Sequence, residues 1–297
     1  KDTHELSEYF LENITEMLSK KGVKTSGWQE VALHHSPEMN ARIAPRFAGV
    51  YCWSTIGKRD VVPYTVANEG YDVILCNVNN LYIDLAYNPH KDEPGLTWGG
   101  YVNEFTSFNI LPYNIYCSAR ENTAGEKNNL KTAGKGKIQL TEQSRPRIKG
   151  VQAQLFSETI GSFDMVQYYV FPKIFGLVER GWNAYPEWSP VPNDDKQALY
   201  EKARAIYNAK IAEIELPRLA ADGFNFRVAQ PGIKIVEGKL YANSPIPQAE
   251  IRYTTDGSEP TATSTLWEAP VDCSATVVKA KLFYLGKESH TTDYKND

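Results

Sequence analysis

The chain has 297 residues, 42% of them hydrophobic and 23% charged, enough apolar material for one large or two modest cores. Its net charge of −4 argues against a nucleic-acid or anionic-membrane partner, since either needs a basic face. No apolar run approaches the roughly 18–20 residues that span a bilayer, and no charged-then-apolar leader opens the chain.

In chain order, residues 4–21 place Leu6, Tyr9, Phe10, Ile14, Met17 and Leu18 at helical spacing, which predicts an amphipathic helix with that stripe inward. Asp2 with Glu5 three residues on resembles a capping box, and Gly22 is placed to stop the helix. Short strands are expected at 24–28 and 48–53, with His34-His35 between them as a strand-to-helix loop. Residues 60–69 read as a helix stopped by Gly70. Residues 72–77 read as a strand buried on both faces, because Val73-Ile74-Leu75-Cys76 does not alternate. The stretch 86–149 is irregular, with a helix near Tyr101–Phe108 and a solvated basic loop over 127–149. A fourth strand follows at 150–156, then one long apolar helix over 164–182 running through Pro172, and a last helix over 193–216 ending before Pro217.

Strand and helix alternating at this spacing predict parallel βα units. Each of the four strands gathers polar and aromatic residues at its C-terminal end: Trp28 and Glu30, Trp53 and Ser54, Asn77 through Asp84, Phe156 and Glu158. Active sites of (β/α)8 barrels are built at that end. Four strands make half of such a barrel, and an open half leaves sheet edges unpaired. After about Ala221 the pattern changes. Residues 233–297 alternate apolar and polar, with turn signals at Asn243-Ser244-Pro245, Asp256-Gly257 and Gly286, which predicts a small antiparallel β-sandwich.

The four cysteines, Cys52, Cys76, Cys117 and Cys273, are widely separated without metal-type spacing, so buried free thiols and no metal or cofactor are expected. A nucleotide site has no support, since no G-x-G-x-x-G follows a strand and Gly134-Lys135-Gly136-Lys137 lacks P-loop spacing. A serine hydrolase has none either, for want of a G-x-S-x-G elbow.

The runs SGWQE (26–30), YCWST (51–55), NLYIDLAYN (80–88), GVQAQLFSE (150–158) and YYVFPKIFGLVERGWN (168–183) together resemble the β-N-acetylhexosaminidases of glycoside hydrolase family 20. IRYTTDGSEPT (251–261) resembles the domain that follows such barrels. The resemblance implies an α/β fold: the C-terminal half of a (β/α)8 TIM barrel over 1–222, followed by a small antiparallel β-sandwich domain over 223–297. It implies a retaining exo-glycosidase that removes terminal β-linked N-acetylhexosamine from glycans by substrate-assisted catalysis, the acetamido oxygen acting as nucleophile. The family's His-x-Gly-Gly-Asp-Glu motif, which carries the general acid, does not occur in the chain. The acid is therefore expected upstream of Lys1, on a missing N-terminal half-barrel of the same protein, and the chain alone is expected to be inactive. By resemblance such enzymes are exported.

Carried over by position, Tyr82 is the residue that hydrogen-bonds the acetamido oxygen. Asp84 accepts from ring hydroxyls, Trp28 and Trp53 wall the acetamido methyl, Phe156 is the stacking platform and Glu158 a holder of hydroxyls. Phe156 departs from the family's usual Trp, which puts sugar preference in doubt. Taken without the resemblance, Tyr82 and Asp84 read as a buried tyrosine and a loop cap, and Trp28 as core. Glu158 reads as a cap for the 164–182 helix or a partner of Arg180, and Glu30 and Arg46 as a structural salt link. The rival function is a non-catalytic N-acetylglucosamine-binding or glycan-binding protein.

Overall fold

The computed structural model describes residues 3–122 and 125–295; Asp2, and with it the expected capping box, lies outside them. The helices are α1 (Thr3–Lys20), α2 (Pro37–Ile43), α3 (Val62–Asn68), α4 (Val78–Leu81), α5 (Glu104–Phe108), α6 (Phe163–Val170), α7 (Ile174–Trp182), α8 (Gln197–Lys210) and α9 (Leu216–Ala221). Residues fall into two compact units, one of 1–87, 95–157 and 173–200, the other of 88–94, 158–172 and 201–297.

In the first unit, β1 (Thr25–Trp28), β2 (Phe47–Cys52), β3 (Val73–Leu75) and β4 (Ile148–Val151) form one parallel sheet in that order. Trp28 pairs with Tyr51, Cys52 with Leu75 and Leu75 with Val151, so the four C-terminal ends lie level. Val50, Cys52, Val73, Leu75 and Ile148 are buried with Ile43, Phe47, Tyr64, Val66, Tyr71, Leu81 and Ile110, one core between sheet and helices. Gly49 is required by this packing, since a Cβ there would sit 2.3 Å from Ile74 Cδ1. Local chemistry sets the helix starts. Ser36 Oγ accepts from Met39 N at 3.2 Å ahead of Pro37, and Asn103 forms a capping box with Thr106 for α5.

Four expectations change. The fourth strand stops at Val151, and Gln154 then makes a single parallel bridge with Tyr82, because β3 itself ends at Leu75 and offers no longer ladder. The long helix over 164–182 is two helices. Phe171 is extended (φ −105, ψ 125) because Pro172 excludes it from helical space and lacks the N–H to continue the ladder. The last helix instead passes Pro217: α8 runs through a π turn, Ile211–Glu215, into α9, whose first turn holds the proline where no N–H is needed. On α1 most of the expected inward stripe faces out: Leu6, Tyr9, Phe10 and Met17 are exposed, Leu6 at 58% and Phe10 at 67%, while Ile14 and Leu18 are half-buried. Leu11 and Thr15 turn inward instead, and the helix is tied by Glu12 to Arg42 Nε at 2.7 Å and by Arg46 Nη1 to Glu12 O at 3.1 Å.

The second unit contains two antiparallel sheets. One orders β5 (Gly232–Val236), β6 (Lys239–Asn243) and β9 (Val271–Asp272). The other sets β7 (Glu250–Thr254), β8 (Thr265–Leu266), β11 (Lys287–Glu288) and β12 (Thr292–Lys295) around β10 (Val277–Tyr284). Leu240, Cys273 and Val278 form their shared core with Ile233, Ile235, Tyr253 and Trp267 packed on it. Asp256-Gly257 is not a tight two-residue hairpin. It lies in the 255–264 loop, where Asp256 Oδ1 accepts from Ser258 N at 3.0 Å. All four cysteines of the chain are buried and free. Among the described residues no helix is long and apolar enough to cross a membrane.

Residues 88–94 are held inside this second unit by polar contacts. Asn88 Nδ2 donates to Gln230 Oε1 at 2.6 Å, and His90 stacks on His290 at 5.0 Å. Burial holds the His290 imidazole below its ordinary 6.5, with Glu93 opposing that shift and His90 and Arg227 adding to it. The folded state therefore favours neutral His290, and the unfolded chain binds more protons as pH falls through the ordinary histidine range. Stability from this group is present above about pH 6.5 and lost on acidification. The urea midpoint is expected to fall between about pH 7.5 and 5.5, and to fall less in His290→Gln. Equal falls in the two proteins would remove His290 as the cause.

Candidate functional site

The level C-terminal ends of β1–β4 release four loops on one side of the sheet. Their backbones extend the ladder irregularly. Cys76 N donates to Cys52 O at 2.8 Å, Val78 N to Trp53 O at 3.0 Å, and Ile83 N to Gln154 O at 2.9 Å. Gln29, buried after β1, accepts from both Trp53 N and Ser54 N at 3.0 Å, so one side-chain oxygen fixes the turn beyond β2. Glu30 next to it accepts from Trp53 Nε1 at 3.1 Å and sets the indole plane. The salt link expected for Glu30 and Arg46 is thus replaced by two separate tasks, the indole for Glu30 and α1 for Arg46.

Tyr82 is the centre of what these loops hold. Its ring lies 6.4 Å from Trp53 (26° between planes), 5.9 Å from Trp98 (81°) and 5.4 Å from Phe156 (59°). Trp53 and Trp98 close the group at 6.2 Å. Tyr82 is 5% exposed while Trp98 is 52% and Phe156 39%, so the rings form a bowl with the tyrosine at its floor. Burial pushes the Tyr82 phenol above its ordinary range, with Cys76, Asp84 and Glu30 adding to the shift, and the hydroxyl stays protonated at neutral pH. That hydroxyl makes no hydrogen bond with any described residue. Burial likewise pushes the Cys76 thiol up to about 12, against a hydrogen bond with Gln154, which leaves it inert.

The structure therefore brings together Trp53, Tyr82 and Phe156 of the expected set, with Asp84 buried two residues beyond Tyr82. Trp28 stands at the end of β1, 39% exposed, and its ring partner among the described residues is Tyr51 at 5.9 Å. Glu158 is exposed at a turn in the second unit and makes no hydrogen bond or ion pair with a described residue. Its alternative duty as a helix cap is taken by Ser162, whose Oγ accepts from Met165 N at 3.2 Å.

Trp98 was not among the residues singled out from the sequence. The available signal was Trp98-Gly99-Gly100 in a proline-rich loop, and a Cβ on Gly99 would lie 2.7 Å from Val78 Cγ2. Lys173 was also missed. It is fully buried, and its Nζ donates to Ile83 O at 2.8 Å and Leu85 O at 2.6 Å. One Asp-Glu dipeptide does occur within the chain, Asp92-Glu93. It lacks the Gly-Gly of the motif. The Glu93 carboxylate is fully buried in the second unit, accepting from Arg227 Nε and Nη2 at 3.2 and 3.1 Å and from Tyr168 Oη at 2.7 Å. A carboxylate taken up on both oxygens by fixed donors is a structural ion pair, not an acid facing a substrate.

A protonated phenol at the base of an aromatic bowl, with a carboxylate two residues on, suits a ligand with apolar faces and one carbonyl-type oxygen, which are features of an N-acetylated sugar. Residues 1–185 match the profile of the glycosyl hydrolase family 20 catalytic domain, and residues 215–290 that of the chitobiase/beta-hexosaminidase C-terminal domain. The chain is 28% identical over 273 residues to N,N'-diacetylchitobiase of Vibrio harveyi, covering 86% of this chain and 29% of that protein. It is 25% identical over 288 residues to a beta-hexosaminidase of Porphyromonas gingivalis, covering 93% and 30%. Among solved structures, an inactive mutant of the exo beta-N-acetylglucosaminidase of Vibrio harveyi superposes with a TM-score of 0.50 at 22% identity, covering 76% of this chain and 28% of that one. The beta-N-acetylhexosaminidase of Streptomyces coelicolor superposes at 0.50 with 20% identity, covering 75% and 36%. These two likenesses concern the fold, an α/β barrel-type domain. The chain spans less than a third of the length of the proteins to which its sequence was matched.

Proposed function

The chain belongs to glycosyl hydrolase family 20, and from that premise we propose that it is part of a retaining, substrate-assisted exo-β-N-acetylhexosaminidase that removes terminal β-linked N-acetylhexosamine from glycans. The observation that carries the reading is Tyr82: a buried, protonated phenol ringed by Trp53, Trp98 and Phe156, its hydroxyl taken by no described residue. In this reading Tyr82 donates to the acetamido oxygen of the sugar. That bond holds the oxygen in line with the anomeric carbon and stabilises the charge that develops as the oxazolinium ring closes. Asp84 accepts from a ring hydroxyl, a charge-assisted bond that fixes pose without moving a proton. Trp53, with Trp28, faces the acetamido methyl, and Phe156 the sugar ring. Glu158 is assigned to sugar hydroxyls by resemblance.

The general acid in this reading comes from an N-terminal half-barrel. The half-barrel reading is supported by a four-stranded parallel sheet whose edges, β1 and β4, pair with no further described strand, and by Leu6, Tyr9, Phe10 and Met17 left exposed on α1. The division at 222/223 and export from the cytoplasm belong to the same reading.

The test is release of a chromophore from an aryl N-acetyl-β-glucosaminide. The 297-residue chain is expected to show no turnover, and a version extended upstream through the Asp-Glu segment is expected to show it. Turnover by the chain alone would place the acid within these residues. Sugar binding without turnover by the extended protein would favour the non-catalytic glycan-binding reading.

A further inference from the structure

We propose that Lys173 is a positioning residue for the substrate-binding segment, its ammonium pinning the carbonyls on both sides of Asp84 and so fixing where Tyr82 and Asp84 point. The proposal rests on the glycosidase reading of the bowl. After α4 the chain carrying Tyr82 and Asp84 is no longer a strand. It makes one bridge to Gln154, and Leu85 then pairs with Leu96. The carbonyls of Ile83 and Leu85, which in a ladder would accept from the N–H groups of a neighbouring strand, accept instead from Lys173 Nζ, at 2.8 and 2.6 Å.

A charged side chain at 0% exposure is unfavourable unless donors and acceptors are well matched, and a methionine of similar length would fill the same space without that penalty. The placement of the charge therefore marks a polar task. An ammonium is compact and carries three donors, which lets one group hold two carbonyls of an irregular turn. The Tyr87 ring centroid, 3.7 Å from Nζ, adds a cation–π contact from the same segment.

The clamp is itself anchored. Lys173 O accepts from Ser107 Oγ of α5 at 2.6 Å, and α7, which Lys173 opens, lies so close to α5 that a Cβ on Gly176 would be 2.2 Å from Ser107 Oγ. Lys173 touches no substrate in this arrangement. It acts through backbone carbonyls one residue from each of the two polar groups that do.

The experiment uses the upstream-extended protein and an aryl N-acetyl-β-glucosaminide, with kcat expressed per active site titrated by a thiazoline mimic of the intermediate. Lys173→Met is expected to lower kcat about tenfold or more while KM moves less than about threefold, because the aromatic walls remain and the in-line oxygen is misplaced. Lys173→Arg, which keeps a charged donor, is expected to recover most of that loss. A Lys173→Met kcat per titrated site equal to wild type, or equal losses in both variants, would overturn the clamp. If Lys173→Met does not fold, Lys173→Gln keeps two donors without the charge and should show a smaller kcat loss; wild-type kcat there overturns the proposal equally. Absence of turnover in the wild-type extended protein would overturn the glycosidase reading itself, an outcome distinct from failure of the clamp.

Discussion

Replacing Tyr82 with phenylalanine in the upstream-extended protein is expected to lower kcat about 10²- to 10³-fold with KM little changed. The ring contacts that build the bowl, to Trp53, Trp98 and Phe156, involve the ring and survive the substitution. Only the hydroxyl is removed, and in the proposed reaction its bond strengthens as the acetamido oxygen takes on charge. A group that binds the transition state more tightly than the ground state appears in kcat rather than KM. The measurement is steady-state hydrolysis of an aryl N-acetyl-β-glucosaminide. A variant that raised KM with kcat intact would make Tyr82 a ground-state contact and withdraw its role with the nucleophile.

The second large effect is on stability. Arg227→Ala is expected to destabilise the chain by about 3–5 kcal/mol, because it leaves the Glu93 carboxylate buried with the Tyr168 hydroxyl and with His290 Nε2 4.0 Å away, but without its cation. Side-chain exposure is 6% for Arg227 and 0% for Glu93, so solvent cannot replace the lost guanidinium. The double variant Glu93→Met with Arg227→Leu is expected to be more stable than Arg227→Ala alone, since it removes the uncompensated charge. Urea unfolding of the three proteins decides it. A loss under about 1 kcal/mol in Arg227→Ala would mean that water reaches Glu93.

The elements were legible where period and propensity agreed. The non-alternating run Val73-Ile74-Leu75 announced a buried parallel strand, and the four strand ends with their aromatic residues announced the side of the sheet that carries the bowl. Tyr82, Trp53 and Phe156 could be named in advance through the family resemblance, on segments that the strand pattern already placed after β2, β3 and β4.

Other features were not legible because they depend on neighbours remote in sequence. Helical spacing selected a stripe on α1 from hydrophobicity, but which face turns inward was decided by Leu11, Thr15 and the Glu12–Arg42 pair against the next helix. Pro172 and Pro217 look alike in sequence. One breaks a helix because the residue before it must extend, and the other opens α9 because it falls where no N–H is needed. Asp92-Glu93 has the composition of an acid pair, yet Arg227, more than a hundred residues away in the chain, makes Glu93 a structural anion.

By itself the sequence determined the parallel and antiparallel parts of the architecture, which follow from local periodicity, and the family with most of the aromatic bowl, which follow from runs that resemble other members. Only the tertiary structure decided that Trp98 joins the bowl from a loop, that Glu30 aims Trp53, and that Lys173 meets the carbonyls around Asp84. The physical reason is that a buried polar atom must find its partner wherever the fold brings one, and sequence spacing carries no record of that distance.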